Sequence, residues 1–190
     1  MQSLIDKIEK EGIYLGNGII KVDAFMNHQI DTELMAEIGR EFASKFRSHQ
    51  PTKILTAESS GIPPAMVTGY ELKIPVVYAR KKTPLTMSGA PLTAQAPSRT
   101  KGGMTTLMVS PDYLAEGDRV LLIEDFLATG QTAVALIDIT HQSGAELVGV
   151  GCVIEKIFEP GRTQIQQKFS GPIVSLAKIN LLGEKIEITD

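Results

Sequence analysis

The chain of 190 residues has little of what disulfide-bonded or membrane proteins need. It contains one cysteine, which excludes a disulfide bond within the chain. That residue, Cys152, lies in an apolar run, which indicates an inert buried thiol. No run of about eighteen apolar residues is present, and the N-terminus lacks an apolar signal-peptide core. We therefore expect a cytoplasmic protein without membrane contact.

Strong positive charge is also lacking. The formal net charge is −3 and the pI is about 5.7, which argues against nucleic acid as the main partner. The Gly-x-x-x-x-Gly-Lys-Ser/Thr motif of nucleoside triphosphatases is absent as well. A chain of this length favours one domain with a substantial core, spanning residues 1–190.

Strand and helix patterns alternate along the chain, which is typical of a mostly parallel sheet flanked by helices. Apolar runs predict strands at 53–57, 75–79, 104–109, 120–123 and 147–154. Two short strands are expected around the Gly-Asn-Gly turn of residues 13–22.

Helices are predicted from capping residues and apolar spacing. A capping box at Ser3 and Asp6 predicts a first helix that ends near Glu11. Asp31 or Thr32 is expected to cap a second helix. The core-facing stripe of this second helix has helical spacing and consists of Leu34, Met35, Ile38, Phe42 and Phe46. Further helices are predicted after Pro63 and up to about Ser143.

Residues 81–103 show no periodicity and are rich in proline and glycine. Loops of this length are usually active-site lids or disordered segments. The segment has no acidic residue and four cationic ones, namely Lys81, Lys82, Arg99 and Lys101. We predict a flexible basic lid for a polyanionic substrate. A solvated surface loop is the alternative.

The segment from Val120 to Ala133 carries the strongest functional signal. An apolar strand leads into Glu124 and Asp125, then into a short loop and a helical pattern. Gly130 can adopt a positive φ, and the first N–H groups of the helix favour a phosphate. The two acids instead suit a diol, a cationic centre or a metal ion. A ribose 5-phosphate satisfies both halves, whereas a helix merely capped by two acids is the simpler alternative.

This segment resembles the 5-phosphoribosyl 1-diphosphate (PRPP) fingerprint of the type I phosphoribosyltransferases. Gln131 stands where many members have a second glycine, and Glu124 where many have aspartate. Segments 21–31, 58–62 and 153–162 extend the resemblance over nearly the whole chain, towards bacterial xanthine phosphoribosyltransferases. The resemblance implies an α/β fold of the type I phosphoribosyltransferase kind, with a mostly parallel central sheet flanked by helices.

The same resemblance implies a reaction and its partners. Xanthine and PRPP would give xanthosine 5′-monophosphate and pyrophosphate, a purine salvage step. Mg²⁺ would be bound through PRPP and not by dedicated protein ligands, and the protein would be a homodimer. A small hood, built from about residues 1–30 and C-terminal segments, would cover the base site.

Site residues follow from the resemblance, position by position. The catalytic carboxylates at the ribose hydroxyls would be Glu124 and Asp125. The 5-phosphate would be bound by Ala128, Thr129, Gly130, Gln131 and Thr132, a segment called the phosphate loop below. The rest of PRPP would be bound by Lys81 and by Glu58, Ser59 and Ser60, whose loop often has a non-proline cis peptide bond in family members. The base would be contacted by Ile20, Asn27 and Lys156.

The chemistry of the base contacts fits an oxopurine. An ammonium at Lys156 can donate to the carbonyl oxygen that distinguishes 6-oxopurines from adenine, and Asn27 can donate and accept. Ile20 offers an apolar surface. A solvated Lys156 is the simpler alternative.

Two other functions stay open. One is a hypoxanthine–guanine phosphoribosyltransferase, and the other is a non-catalytic regulator that senses PRPP. A regulator of transcription should carry an added DNA-binding domain, for which the first thirty residues leave no room.

Overall fold

The computed structural model describes residues 1–82, 89–97, 103–182 and 185–189. The helices that it describes are α1 (Gln2–Glu11), α2 (Thr32–Phe46), α3 (Ile62–Leu72), α4 (Gln131–Gln142) and α5 (Gly161–Gln166). The strands are β1 (Ile13–Tyr14), β2 (Ile20–Lys21), β3 (Lys53–Ala57), β4 (Val76–Ala79), β5 (Leu92–Pro97), β6 (Met104–Val109), β7 (Arg119–Leu127), β8 (Glu146–Lys156), β9 (Ile173–Leu182) and β10 (Lys185–Thr189). A π-helical turn spans Asp23–Asn27, and a 3-10 turn spans Arg47–His49.

A six-stranded sheet in the order β10-β9-β8-β7-β3-β4 forms the centre of the fold. All its neighbouring strands pair in parallel except β10, which is antiparallel to β9. Leu121 and Ile123 pack into the core on one face, together with residues of α1 and α2. Val120 and Leu122 pack on the other face, against α4. Because both faces are covered, β7 is apolar from Val120 to Ile123, and the expected sheet class is confirmed.

The helix predictions are confirmed in position but not in every cap. The Asp31 carboxylate accepts a hydrogen bond from the Leu34 N–H at 3.1 Å, and Pro63 lies in the first turn of α3. The apolar stripe of α2 is buried. The capping box at Ser3 is wrong because α1 already begins at Gln2, and the Ser3 hydroxyl donates to Glu37 instead.

Several strands extend beyond their predicted ends. Strand β7 continues through Glu124 and Asp125 to Leu127, and β8 continues to Lys156. The ladder uses only backbone groups, so polar side chains do not end a strand that has partners on both sides. The sequence patterns also missed β9, β10 and α5.

Part of the segment predicted as an aperiodic lid is a regular strand. Residues 92–97 form β5, which pairs antiparallel with β6. Its alternate residues Leu92, Ala94 and Ala96 turn towards the core, but alanine makes this period of two hard to see in the sequence. Residues 83–88 and 98–102, with Arg99 and Lys101, lie outside the described residues. The lid therefore stays a prediction.

The N-terminal segment packs on the C-terminal strands. The Met1 ammonium donates to the Leu176 carbonyl at 2.6 Å, and Leu4 and Ile8 share a core cluster with Ile179. The β1–β2 hairpin follows α1 directly. None of the described helices has the length and apolar character needed to cross a lipid bilayer.

Candidate active site

The carboxyl ends of four parallel strands bring the candidate residues to one edge of the sheet. Leu127 at the end of β7 pairs with Glu155 near the end of β8. The phosphate loop, which follows β7, therefore begins beside Lys156, the last residue of β8. Ala57 pairs with Ala79 at the ends of β3 and β4, and β3 lies beside β7. Ligands of open α/β sheets bind at this edge.

The acid pair consists of one buried and one half-buried carboxylate. Glu124 is 6% exposed, and Asp125 follows it on the opposite face of the strand. Burial raises the pKa of the Glu124 carboxyl well above its ordinary value, and the charge of Asp125 raises it further. The Lys81 ammonium opposes this shift. In the free chain, Glu124 therefore resists ionisation unless a positive charge approaches.

Unpartnered polar atoms mark the same edge of the sheet. In the described part of the chain, three buried side-chain atoms have no hydrogen-bond partner, namely Thr56 Oγ1, Arg80 Nε and Glu124 Oε1. They belong to β3, to the residue after β4 and to β7, which are successive neighbours in the sheet. Buried polar groups are normally hydrogen-bonded, so the unpartnered Oε1 of Glu124 is consistent with a polar ligand.

The phosphate loop has the backbone geometry expected for an anion site. Gly130 has a φ of 77°, as predicted, and α4 begins at the next residue, Gln131. No side chain caps the first turn of α4, and no acidic residue lies in it. Thr129 is exposed and Thr132 is half-buried. The positive end of the helix dipole is therefore available to a phosphate.

A glycine that the sequence analysis missed supports this loop. A Cβ on Gly130 would lie 2.8 Å from both the Cα and the carbonyl oxygen of Gly161. A Cβ on Gly161 would in turn collide with the carbonyl oxygen of Ala128. The loop and the start of α5 thus touch backbone to backbone, and neither glycine can carry a side chain.

An ion pair fixes Gly161 in this position. Arg162 donates to the two carboxylate oxygens of Glu155 at 2.8 and 2.6 Å, and to the Ile173 carbonyl at 3.1 Å. Ser175 also donates to Glu155. Burial raises the pKa of Glu155, but the hydrogen bonds from Arg162 and Ser175 outweigh burial and hold it below its ordinary value. Sequence patterns gave no sign of this pair.

The second predicted anion loop adjoins the acid pair. The peptide bond between Glu58 and Ser59 is cis, as the resemblance implied. The Glu58 carboxylate accepts the backbone N–H of Lys81 at 2.7 Å. Ser59 is exposed and Ser60 half-buried. The structure therefore brings Glu58 and Lys81 together, and the Lys81 charge also acts on Glu124.

Lys156 is buried, so the alternative of a solvated lysine is wrong. Its side chain lies above the ring of Phe126, with 5.5 Å between the ammonium nitrogen and the ring centroid. The ammonium donates to the Gly18 carbonyl at 2.7 Å. Ile20, two residues further on, is buried in β2, whereas Asn27 is exposed at the end of the π-helical turn. Lys156 therefore contacts the β1–β2 hairpin directly, whereas Asn27 lies in the π-helical turn that follows β2.

Metal ligands from the protein alone are scarce. The described residues include no group of three or more histidine, cysteine, aspartate or glutamate side chains placed to hold a metal ion.

Comparisons with known proteins agree with this arrangement. The family model described as "Phosphoribosyl transferase domain" matches residues 26–171. A xanthine phosphoribosyltransferase of Deinococcus deserti is 48% identical over 184 residues, covering 97% of this chain and 95% of the relative. One of Bacillus licheniformis is 47% identical over 187 residues, covering 98% of this chain and 96% of the relative.

Solved structures support the fold. The Giardia lamblia APRTase complexed with 9-deazaadenine has a TM-score of 0.76 at 19% identity and covers 95% of this chain and 98% of its own. Adenine phosphoribosyltransferase from Trypanosoma brucei has a TM-score of 0.74 at 22% identity and covers 92% and 79%. At these identities the likeness concerns the fold alone.

Replacing Glu124 with glutamine should stabilise the free protein increasingly as the pH rises. The pKa of Glu124 is higher in the folded than in the unfolded chain, because burial favours the neutral acid. The contribution of Glu124 to stability is therefore complete at pH values below its ordinary pKa of 4.5. It is lost as the pH rises through the pKa of the folded state. Glutamine avoids this loss.

Urea denaturation of both proteins between pH 4.5 and 8 measures the effect. The unfolding free energy of Glu124→Gln minus that of the wild type should grow with pH. The same substitution at the exposed Glu9 in α1 is the control for removal of a charge. A difference for Glu124→Gln that is constant with pH would contradict the assignment.

Proposed function

Because the chain belongs to the phosphoribosyltransferase family, we propose that it transfers the phosphoribosyl group of PRPP to xanthine. The bond between ribose C1 and the diphosphate oxygen breaks, and a bond from C1 to a ring nitrogen of xanthine forms. The nitrogen loses its proton, and the products are xanthosine 5′-monophosphate and pyrophosphate. Relatives named as xanthine phosphoribosyltransferases match nearly the whole chain, which supports this choice of base.

One observation carries the proposal: β7 and β8 end side by side. Strand β7 supplies the acid pair and leads into the phosphate loop, and β8 supplies the buried Lys156. Neighbouring strands lie about 4.8 Å apart, so both groups can contact one nucleotide-sized ligand. With its 5-phosphate at the start of α4, such a ligand can extend past the acid pair to Lys156.

The acid pair suits the charge that develops in the reaction. Displacement at C1 builds positive charge on the ribose ring, and a nearby positive charge lowers the pKa of a carboxyl. Glu124, which resists ionisation in the free chain, thus favours the charged state of the ring over the neutral ground state. The unpartnered Oε1 of Glu124 can also accept a hydrogen bond from a ribose hydroxyl. Stabilisation of this kind lowers the barrier to reaction.

We assign the diphosphate of PRPP to the loop at 58–60 and to the side chain of Lys81. The charge of the diphosphate would be balanced by Lys81 and by Mg²⁺ carried on PRPP. The described residues offer no three-ligand metal site of their own, and the acid pair has oxygen atoms of the kind that Mg²⁺ prefers. When bound, Mg²⁺ would neutralise charge on the leaving group.

Lys156 supports an oxopurine over adenine. Its ammonium can donate to the carbonyl oxygen at C6 of xanthine, whereas adenine presents an amine there, so two donors would face each other. Asn27 can pair with the other polar edge of the base. Hypoxanthine and guanine share the C6 oxygen, so an enzyme specific for them is the nearest alternative. A PRPP-sensing regulator would bind PRPP without turnover.

A homodimer in the cytoplasm completes the proposal. Strand β4 forms an edge of the central sheet, and large apolar side chains are exposed on and near it. Tyr70 is 82% and Met66 59% exposed, and Tyr78 and Tyr113 add aromatic surface. Exposed apolar patches of this kind mark protein interfaces. We assign the side of the sheet formed by β4, and not the carboxyl ends of the strands, to the partner copy.

Removing both acids should abolish most turnover while the fold is retained. We expect Glu124→Ala with Asp125→Ala to lower kcat by about 10² to 10³, the usual cost of losing electrostatic stabilisation of a transition state. The measurement is the rate of nucleotide formation at saturating PRPP, with circular dichroism as the check on folding. A folded double variant with nearly normal kcat would refute the role of the acids.

Replacing Lys156 with methionine should weaken xanthine binding far more than PRPP binding. Methionine keeps much of the side-chain length but cannot donate to a carbonyl oxygen. A site that hydrogen-bonds a substrate group loses about tenfold or more when that bond is removed. Steady-state KM values for xanthine and PRPP test this, with Lys45→Met on the exposed side of α2 as the matched control. Unchanged KM values in a stable protein would show that Lys156 does not contact the base.

A further inference from the structure

The β1–β2 hairpin holds the ammonium of Lys156 through one backbone carbonyl. We propose that Gly18 is a positioning residue for base recognition, because its carbonyl oxygen aims that ammonium at the base. The inference rests on the proposed role of Lys156 in binding an oxopurine. It adds a residue 138 positions away in the chain, at a hydrogen-bond distance of 2.7 Å.

The surroundings of the ammonium favour a fixed position. Lys156 is 8% exposed, and the face of Phe126 lies below its ammonium. The hydrogen bond to the Gly18 carbonyl fixes the direction of one N–H donor of this ammonium. Lysine side chains lose much rotamer entropy when they are fixed, and a lysine already held in place loses less of it when the base binds.

Gly18 is itself held from two sides. Its N–H donates to the Tyr14 hydroxyl at 3.3 Å, across the same hairpin. The ring of Phe158 packs so closely that a Cβ on Gly18 would lie 2.9 Å from a ring carbon. Contacts therefore run from Tyr14 through Gly18 to Lys156. An alanine at position 18 would require the ring of Phe158 or the hairpin to shift. A shift of the hairpin would draw the Gly18 carbonyl away from the ammonium.

The hairpin contains a matched control for this substitution. Gly16 and Gly18 both have a positive φ, 83° and 72°, so alanine is strained at either position. A Cβ on Gly16 would have no atom within 4 Å. The two alanine variants therefore share the backbone strain, and only Gly18→Ala disturbs the contact with Lys156.

The test compares KM values for xanthine and PRPP in the two variants. We expect Gly18→Ala to raise the xanthine KM about tenfold, the scale of a hydrogen bond to a charged group, and to change the PRPP KM less than about twofold. Gly16→Ala should leave both constants within about twofold. Tyr14→Phe, which removes the hydroxyl that holds Gly18, should raise the xanthine KM about threefold. This variant decides the matter if Gly18→Ala does not fold.

A double-mutant cycle separates positioning from general damage to the hairpin. With Lys156→Met already present, Gly18→Ala should change the xanthine KM by less than about twofold, because no ammonium remains to be positioned. A full additional loss in that background would overturn the inference. Equal effects of Gly18→Ala and Gly16→Ala would overturn it as well.

Failure of the proposed function has a different signature. Absence of xanthine turnover in the wild type, or an unchanged xanthine KM in Lys156→Met, would overturn that function and this inference together. If the wild type and Lys156→Met behave as expected, the outcome at Gly18 decides the inference alone.

Discussion

Parallel pairing of β7 with β8 is the constraint on which the rest of the site depends. Parallel strands end at the same edge of a sheet, so the acid pair, the phosphate loop and Lys156 lie close to one another at the ends of β7 and β8. The ion pair of Glu155 with Arg162 then holds Gly161 against the phosphate loop. Two successive residues at the end of β8 thus hold different parts of the site. Glu155 pairs with Arg162 beside the phosphate loop, and Lys156 contacts the β1–β2 hairpin.

Two glutamates on these neighbouring strands show how a partner decides the state of a buried acid. Burial raises the pKa of both carboxyl groups. Glu155 has Arg162 and Ser175 as partners, so its pKa falls below the ordinary value and the charge is stabilised in the free protein. Among the described residues Glu124 has no comparable partner, so burial and the charge of the adjacent Asp125 raise its pKa. Glu155 supports the structure, and we propose that Glu124 meets the positive charge that develops on the substrate.

The sequence predicted what depends on local pattern. The β-α-β order, the Asp31 cap and the positive φ of Gly130 each leave a signature within a few residues, and all are found. Contacts between distant segments leave none, which is why Gly161 and the hydrogen bond from Lys156 to Gly18 were not foreseen. Strand ends were also misjudged, because pairing with neighbours, and not side-chain polarity, decides how far β7 and β8 extend. The identity of the base depends on few side chains and came from the resemblance.

The most direct test of the account is a comparison of four bases in one assay. Initial rates of PRPP-dependent nucleotide formation would be measured with xanthine, guanine, hypoxanthine and adenine. Of the four bases, xanthine should have the highest kcat/KM. Adenine, which cannot accept a hydrogen bond from Lys156 at C6, should be poorer by about 10⁴. Adenine turnover comparable to that of xanthine, or no turnover of any base, would contradict the central claim.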